Sequence, residues 1–390
     1  MSRIDDLIAE YCPNGVERKP LGAIAKLYRG NGLQKKDFTD KGIGCIHYGQ
    51  IYTRYDTFTS QTISFVDKKL ADKLLKVHPN DLIVTATSEN LEDVCKAVAW
   101  LGGSDIVTGG HSIVVRHHQN AKYLSYYFQT LDFFQRKRAY VHGTKVMEIK
   151  KDDLAKIVVP VPPLPVQEEI VRILDSFSSL EAELEAELEA RRKQYAYYRD
   201  QLIRDCPSIR WIPLSEISEN CDKSRKPIKK EKRIAGKTPY YGASGVVDYV
   251  DGFTHEGDYL LLSEDGANLL ARSMPIAYQI SGRNWINNHA HVLRIENANL
   301  RQLVEMYLNS ISLEPYITKG AQPKLTKQRM ETIAVPVPSE DDLSRIVEML
   351  TKFYALTTSL TDGLPAEIEA RRKQYEYYRD RLLSFDELAV

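Results

Sequence analysis

Arginine, lysine, asparagine, glutamine, histidine and tyrosine gather at turn-flanked positions in two separate stretches of the chain. In the first stretch they are Arg29, Lys35, Lys36, His47, Tyr48, Gln50, Tyr52, Arg54, Ser88, Asn90, His111, His142 and Lys145. In the second they are Lys223, Arg225, Lys226, Lys229, Lys230, Tyr240, Tyr241, Ser244, Asn268, Arg283, Asn287, His289, Lys319, Gln322 and Lys324. Such side chains can read DNA. Cationic groups donate to guanine and phosphate, carboxamides pair with adenine, and small or aromatic groups meet the thymine methyl. His111 and His289 also suit a plainer role as framework histidines satisfied inside the fold.

Spacings that would support catalysis are missing. An adenine-methylating loop of the form [DNS]-P-P-[YFW] has no match, because the one Pro-Pro pair sits between Val161 and Leu164. Gly30-Asn31-Gly32 lacks a third glycine and reads as a turn. Glu148-Ile149-Lys150 has the triplet of a metal-dependent nuclease, but its partner carboxylate would be Asp81, at the wrong spacing. No Walker motif occurs. The five cysteines are odd in number, without a CxxC pair, and read as buried thiols of a reducing compartment rather than a zinc site.

Composition allows a binding protein of two or three domains. The 390 residues are 43% hydrophobic and 27% charged, with a formal net charge of zero. Neutrality conceals segregation. Lys223 to Lys237 carries eight basic residues against Glu231 alone, while acids concentrate at Glu181, Glu183, Glu185, Glu187 and Glu189. Phosphate contact needs local positive charge only. No apolar run approaches the roughly 18 residues of a membrane span, and Met1 to Val16 is too polar for a signal peptide, so a cytoplasmic location is expected.

The elements that must position these residues come in duplicate. EARRKQYAYYRDQLI (Glu189 to Ile203) recurs as EARRKQYEYYRDRLL (Glu369 to Leu383), with twelve positions identical at an offset of 180. Upstream, IVVPVP (Ile157 to Pro162) recurs as IAVPVP (Ile333 to Pro338). From Val166 to Ile203 an apolar stripe runs through Ile170, Leu174, Phe177, Leu180, Leu184, Leu188, Tyr195, Tyr198 and Leu202, predicting one helix of about 57 Å. The second stripe runs through Ile346, Leu350, Phe353, Leu356, Leu360, Leu364, Ile368, Tyr375, Tyr378 and Leu382, and Gly363 with Pro365 predicts a kink or break. Stripes of matched length predict an antiparallel pair. DQLIRDCP after the central helix resembles DLIAEYCP at Asp6 to Pro13, so the two chain ends should meet.

Between the helices, strand-like runs (Leu82 to Thr85, Ser112 to Arg116, Tyr259 to Leu262, His291 to Ile295) mark two globular segments. They align only at scattered points: Pro20-Leu21 with Pro213-Leu214, Tyr48-Gly49 with Tyr241-Gly242, His111 with His289, and Arg116 with Arg294. The framework repeats and the surface varies.

Two variable domains alternating with two similar long helices, each domain ending in V-P-x-P, resemble the specificity (S) subunit of type I restriction-modification systems. Leu164-Pro-Val-Gln-Glu-Glu-Ile170 matches the family's pattern after that motif, whereas Ser339-Glu-Asp-Asp-Leu343 lacks the glutamine. The resemblance implies an α+β, pseudo-two-fold chain: residues 1–159 an N-terminal helix and target recognition domain, 160–206 a central helix, 207–335 a second recognition domain, and 336–390 a C-terminal helix. It implies a non-catalytic subunit whose domains each read half of a bipartite double-stranded DNA site. The helices, packed as an antiparallel coiled coil, would set the spacer and dock two modification (methyltransferase) subunits, with restriction subunits joining the larger complex. Arg191, Arg192, Tyr195, Tyr198, Arg371, Arg372, Tyr375 and Tyr378 are the docking candidates. No cofactor is expected in this chain; S-adenosylmethionine belongs to the partners. The alternative is a tandem-domain coiled-coil adaptor that binds protein alone.

Overall fold

The computed structural model describes residues 3–318, 320, 322–359, 361 and 363–386. It divides into two compact units, one formed by residues 1–185 with 367–390 and the other by residues 186–366. Each has an α+β fold built on the same framework. In the first, Arg18–Pro20 pairs antiparallel with Val158–Pro160, and the Leu21 N–H donates to the Ile157 carbonyl at 2.9 Å. In the second, Arg210–Pro213 pairs with Ala334–Val337, and Leu214 donates to Ile333 at 3.0 Å. The V-P-x-P motifs therefore close each globular segment. Both lie in two-stranded pairs, where a proline's missing N–H costs little.

The first unit centres on a five-stranded sheet whose middle strands are Ser112–His117, Leu82–Thr85 and Ala97–Trp100. Side chains alternate across it. Leu82, Val84, Ile113 and Val115 join a core with Tyr123, Tyr126 and Tyr127, while Ile83, Val98 and Val114 meet Ile46, Ile51 and Val77 on the other face. In the second unit, Tyr259–Ser263 lies between Ala290–Arg294 and Ala277–Ile280, with Leu260 and Leu262 facing one core and Tyr259 and Leu261 the other. Of the five cysteines, Cys12, Cys45 and Cys95 are buried, whereas Cys206 and Cys221 are half-buried rather than enclosed as expected.

The central helix runs from Leu164 to Arg204 without interruption. In the first unit Phe177 stacks on Tyr378 at 5.5 Å, while Glu181 and Glu185 both pair with Arg372. In the second, Tyr195 meets Tyr354 and Tyr198 meets Phe353, followed by Ile203 packed with Leu343, Ile346 and Leu350. In both, rising numbers on the central helix meet falling numbers on its partner, so the packing is antiparallel. The partner is two helices, Glu340–Thr358 and Leu364–Leu382. A Cβ on Gly363 would lie 2.7 Å from the Ala355 carbonyl oxygen, so only glycine fits the break. The stripe also departs from expectation there: Thr357 is buried and Leu356 exposed, because Thr357, four residues after Phe353, comes next on that face. Leu360 lies outside the described residues.

The chain ends meet within the first unit. Ile4, Cys12, Val16 and Leu383 share one core, and the Val16 N–H donates to the Asp386 carbonyl at 2.9 Å. Among the described residues no helix is long and apolar enough to cross a membrane.

His117, at the end of its strand, makes this unit sensitive to acid. Its Nδ1 accepts from the Gln119 N–H at 3.1 Å, its Nε2 has no partner among the described residues, and burial lowers its pKa to about 4. The unfolded histidine binds a proton near pH 6.5 and the folded one does not, so stability is full above pH 6.5 and falls as pH drops towards 4. The expected loss approaches roughly 3 kcal/mol at the lower limit. Urea titrations between pH 7 and pH 4 should show it, and His117→Gln should flatten that dependence; an unchanged slope would refute it.

Candidate nucleic-acid interface

Three backbone segments converge at the same end of the sheet in each unit. In the first, the Ala86 N–H donates to the His111 carbonyl (2.8 Å) and Ile149 donates to Ala86 (2.9 Å), while Met147–Glu148 pairs with Thr87–Ser88. In the second, Glu264 donates to His289 (2.9 Å), Leu325 donates to Glu264 (2.7 Å), and Asp265 bridges to Lys324. The scaffold repeats bond for bond. His111 and His289 occupy one position in it, and both are exposed, not enclosed as framework histidines. Each is held by one nitrogen: Nδ1 lies 2.9 Å from Thr87 Oγ1 in the first unit and 2.9 Å from the Asp265 carboxylate in the second.

Beside His111 lies the short helix Tyr48–Ile51, fastened at its start by His47. His47 Nδ1 accepts from the Gly49 N–H (3.1 Å), the His47 N–H donates to Gln50 Oε1 (2.9 Å), and Gln50 Nε2 donates to Ser64 (2.7 Å). Gln50 is thus buried and engaged internally. Tyr48 forms the hub of an aromatic run, its ring 4.4 Å from His47, 4.8 Å from His111 and 6.1 Å from Tyr52. His47, Tyr48 and Tyr52, with Lys35, Gln50 and Arg54, line an open depression of about 1060 Å³. A neighbouring hollow of about 360 Å³ lies between Gly32, Lys35, Tyr48 and His111. Burial, with Lys35 and His111 nearby, holds His47 below its ordinary pKa. Because its Nδ1 accepts, Nε2 carries the proton of the neutral ring. Burial pushes Tyr52 up to about 12, so its hydroxyl remains a donor.

The remaining first-unit candidates differ in freedom. Lys35, Lys36 and Arg54 are exposed, with no carboxylate partner among the described residues. His142 and Lys145 are exposed on the turn leading to Met147, which needs Gly143 at φ +112°. Arg29 is committed to the Gly110 carbonyl and to Glu148, both at 3.0 Å. Ser88 is buried, and exposed Asn90 bonds to Asp93.

In the second unit Arg225 is drawn into a charged knot. Its guanidinium donates to Glu264 (2.5 Å) and to the Ala290 carbonyl (2.8 Å) and lies 3.3 Å from Asp222. His291 faces Asp222 through Nδ1 (2.7 Å) and the Leu325 carbonyl through Nε2 (2.8 Å), and Lys324 pairs with Glu264 (2.9 Å). Burial works to raise the carboxyl pKa values, but His291 holds Asp222 down and Arg225 and Lys324 hold Glu264 down. Asp222, Glu264 and His291 are close enough to hold a cation, and Arg225 lies against both carboxylates.

Lys223, Lys226, Lys229 and Lys230 are exposed along a segment tied to the sheet by Lys226 donating to Ile286 (3.0 Å) and Trp285 Nε1 donating to Lys226 (2.7 Å). Tyr241 is half-buried, Tyr240 and Asn287 are buried, and Ser244 is exposed at a hairpin turn. Asn268 bonds to the Met274 backbone, and Gln322 is exposed. Arg283 pairs with Glu256 at the end of its strand away from that turn. Lys319 lies outside the described residues.

On the long helices Arg191 and Arg192 are exposed, Arg371 is half-buried, and Arg372 is engaged by Glu181 and Glu185. Tyr195, Tyr198, Tyr375 and Tyr378 all have ring partners within their own units. The most exposed aromatic pair in the repeated motif is Tyr197 and Tyr377, which the apolar stripe passes over.

Comparison with known proteins fits this double framework. The signature described as a type I restriction modification DNA specificity domain matches residues 13–190 and 211–370. A relative from Haemophilus influenzae is 37% identical over 184 residues, 46% of this chain and 47% of its own length. The specificity subunit of the Escherichia coli type I restriction enzyme EcoprrI is 32% identical over 259 residues, 62% of this chain and 63% of that one. The chain thus spans about half to three fifths of these curated relatives. Among solved structures, a chain from work on complex assembly and conformational transition of the type I R-M system covers 95% of this chain and 98% of its own, with TM-score 0.62 at 14% identity. The S subunit of Mycoplasma genitalium covers 94% and 96%, with TM-score 0.52 at 17% identity. With both halves matched by one signature and both units built on one scaffold, the chain belongs to the type I restriction-modification DNA specificity family.

Proposed function

We propose that each unit reads one half of a bipartite duplex DNA site through the sheet end where these segments converge, and that the chain itself performs no chemistry. The observation that carries this is the contrast at that end. The backbone bonds are the same in both units, yet His111 meets Thr87 in one and His289 meets Asp265 in the other. One scaffold presenting different donors and acceptors is what reading two different sequences requires. The long helices would set the spacer and carry two modification subunits, which bring S-adenosylmethionine, and restriction subunits would join the larger assembly in the cytoplasm.

The purified chain should transfer no methyl group to DNA, and adenine methylation at one bipartite sequence should arise when modification subunits are added. Labelled S-adenosylmethionine and sequencing of the methylated sites would test both. Methyl transfer by the chain alone would overturn the non-catalytic assignment. Absence of salt-dependent DNA association with the modification subunits present would favour the protein-binding adaptor.

A further inference from the structure

The second unit exposes an apolar ribbon in a basic setting. Ala235–Gly242 and Gly245–Val250 form a hairpin whose second strand is the edge of its sheet. Val247 is 56% exposed, Tyr249 55% and neighbouring Ile234 71%, where an edge strand would ordinarily carry charge or be covered. The register explains the doubling at the tip. Tyr241 pairs with Val246 and Tyr240 with Asp248, so Val247 is the extra residue of a bulge, and Val246 and Val247 both emerge. Bulges of this kind re-aim side chains.

The tip is held in place. Ser263 Oγ donates to the Ala243 carbonyl (2.5 Å), the Tyr278 hydroxyl to Gly242 (2.9 Å) and the Asn287 N–H to Tyr241 (3.1 Å). Ser263 leads directly into Glu264 and Asp265, so the tip stands at the convergent end with His289.

Charge selects the occupant. The hairpin's Asp248 is neutralised by Arg233 at 2.9 Å, while Lys226, Lys229, Lys230, Lys232 and Lys237 are exposed without a carboxylate partner among the described residues. A second copy of this chain would set lysines against lysines, whereas duplex DNA would meet them with phosphates. A two-stranded ribbon fits the major groove, and the apolar group offered there is the C5-methyl of thymine.

We propose that this hairpin is the base-reading ribbon of the second unit and that Val246 and Val247 contact a thymine methyl in its half-site. This rests on the reading of each unit as a half-site reader. The test uses the complex with modification subunits and duplexes in which each thymine of the methylated site is replaced singly by deoxyuridine, which removes only the methyl. One position in one half-site should weaken binding roughly threefold to fivefold, the size of one buried methyl group. In Val247→Ala and in Val246→Ala/Val247→Ala the penalty at that position should shrink or vanish, with unchanged melting temperature, while the other half-site keeps its response. A half-site lacking thymine, a penalty that persists in both variants, or self-association lost in Val247→Ala would overturn the proposal. A complex that methylates specifically but ignores deoxyuridine sinks this proposal alone; one that methylates nothing sinks the half-site reading.

Discussion

Replacing residues 15–159 with the corresponding segment of another specificity subunit should change one half of the methylated site and leave the other half as it was. The exchange has natural borders in the pair Arg18–Pro20 with Val158–Pro160, and among the described residues the cores of the second unit are built from residues outside that segment. The first core does reach beyond the borders. Val166, Ile170 and Leu174 pack with Tyr123 and Tyr126, and the Tyr126 hydroxyl donates to Asp175 at 2.7 Å. A donor segment must therefore keep bulky aromatics at those two positions, or cavities costing about 3–5 kcal/mol would open at each. Each mismatched base pair costs about 1–3 kcal/mol, so three changed bases should lower affinity for the old half-site by two orders of magnitude or more. Sequencing the methylated sites of the hybrid decides the matter, and bases altered in both halves would refute it.

The sequence disclosed the scaffold because scaffolds repeat. The duplicated helices, the V-P-x-P closures, the meeting ends and the break at Gly363 were all legible from spacing, and each follows from local chemistry. Which polar side chains are free was not legible. Arg225 stands in a basic run, yet its anchors lie 39 and 65 residues away in sequence, at Glu264 and Ala290. Gln50 is likewise spent on Ser64 and on the cap of its own short helix. The opposite error concerns Val246 and Val247. Adjacent valines read as core until the bulge that turns them outward is known, and a bulge depends on cross-strand register rather than composition. The histidines show a third case, since their alignment revealed a shared position but not that both rings face solvent.

Deleting Leu184 to Glu187 from the central helix should shorten the non-specific spacer of the DNA site by one or two base pairs while preserving both half-sites. The structure explains why the fold should tolerate it. Leu184 is buried while Leu180 and Leu188 flank it half-buried on the same face. The deletion moves Leu188 into the place of Leu184 and Glu189 into that of Glu185, so Arg372 keeps two carboxylates. Ring contacts with the Glu340–Thr358 helix begin only at Tyr195, beyond the deletion. Four helical residues span about 6 Å and turn about 400 degrees, a net rotation of roughly 40 degrees. One base pair rises about 3.4 Å and turns roughly 34 to 36 degrees. The length therefore corresponds to at most about two base pairs and the rotation to about one, and the mismatch between them should appear as reduced affinity. The return connection is two helices, ending at Thr358 and starting at Leu364, so such a change need not bend one continuous helix. Mapping the methylated sites of the deletion variant measures the spacer directly: an unchanged spacer, or new bases within a half-site, would show that this helix does not set the distance.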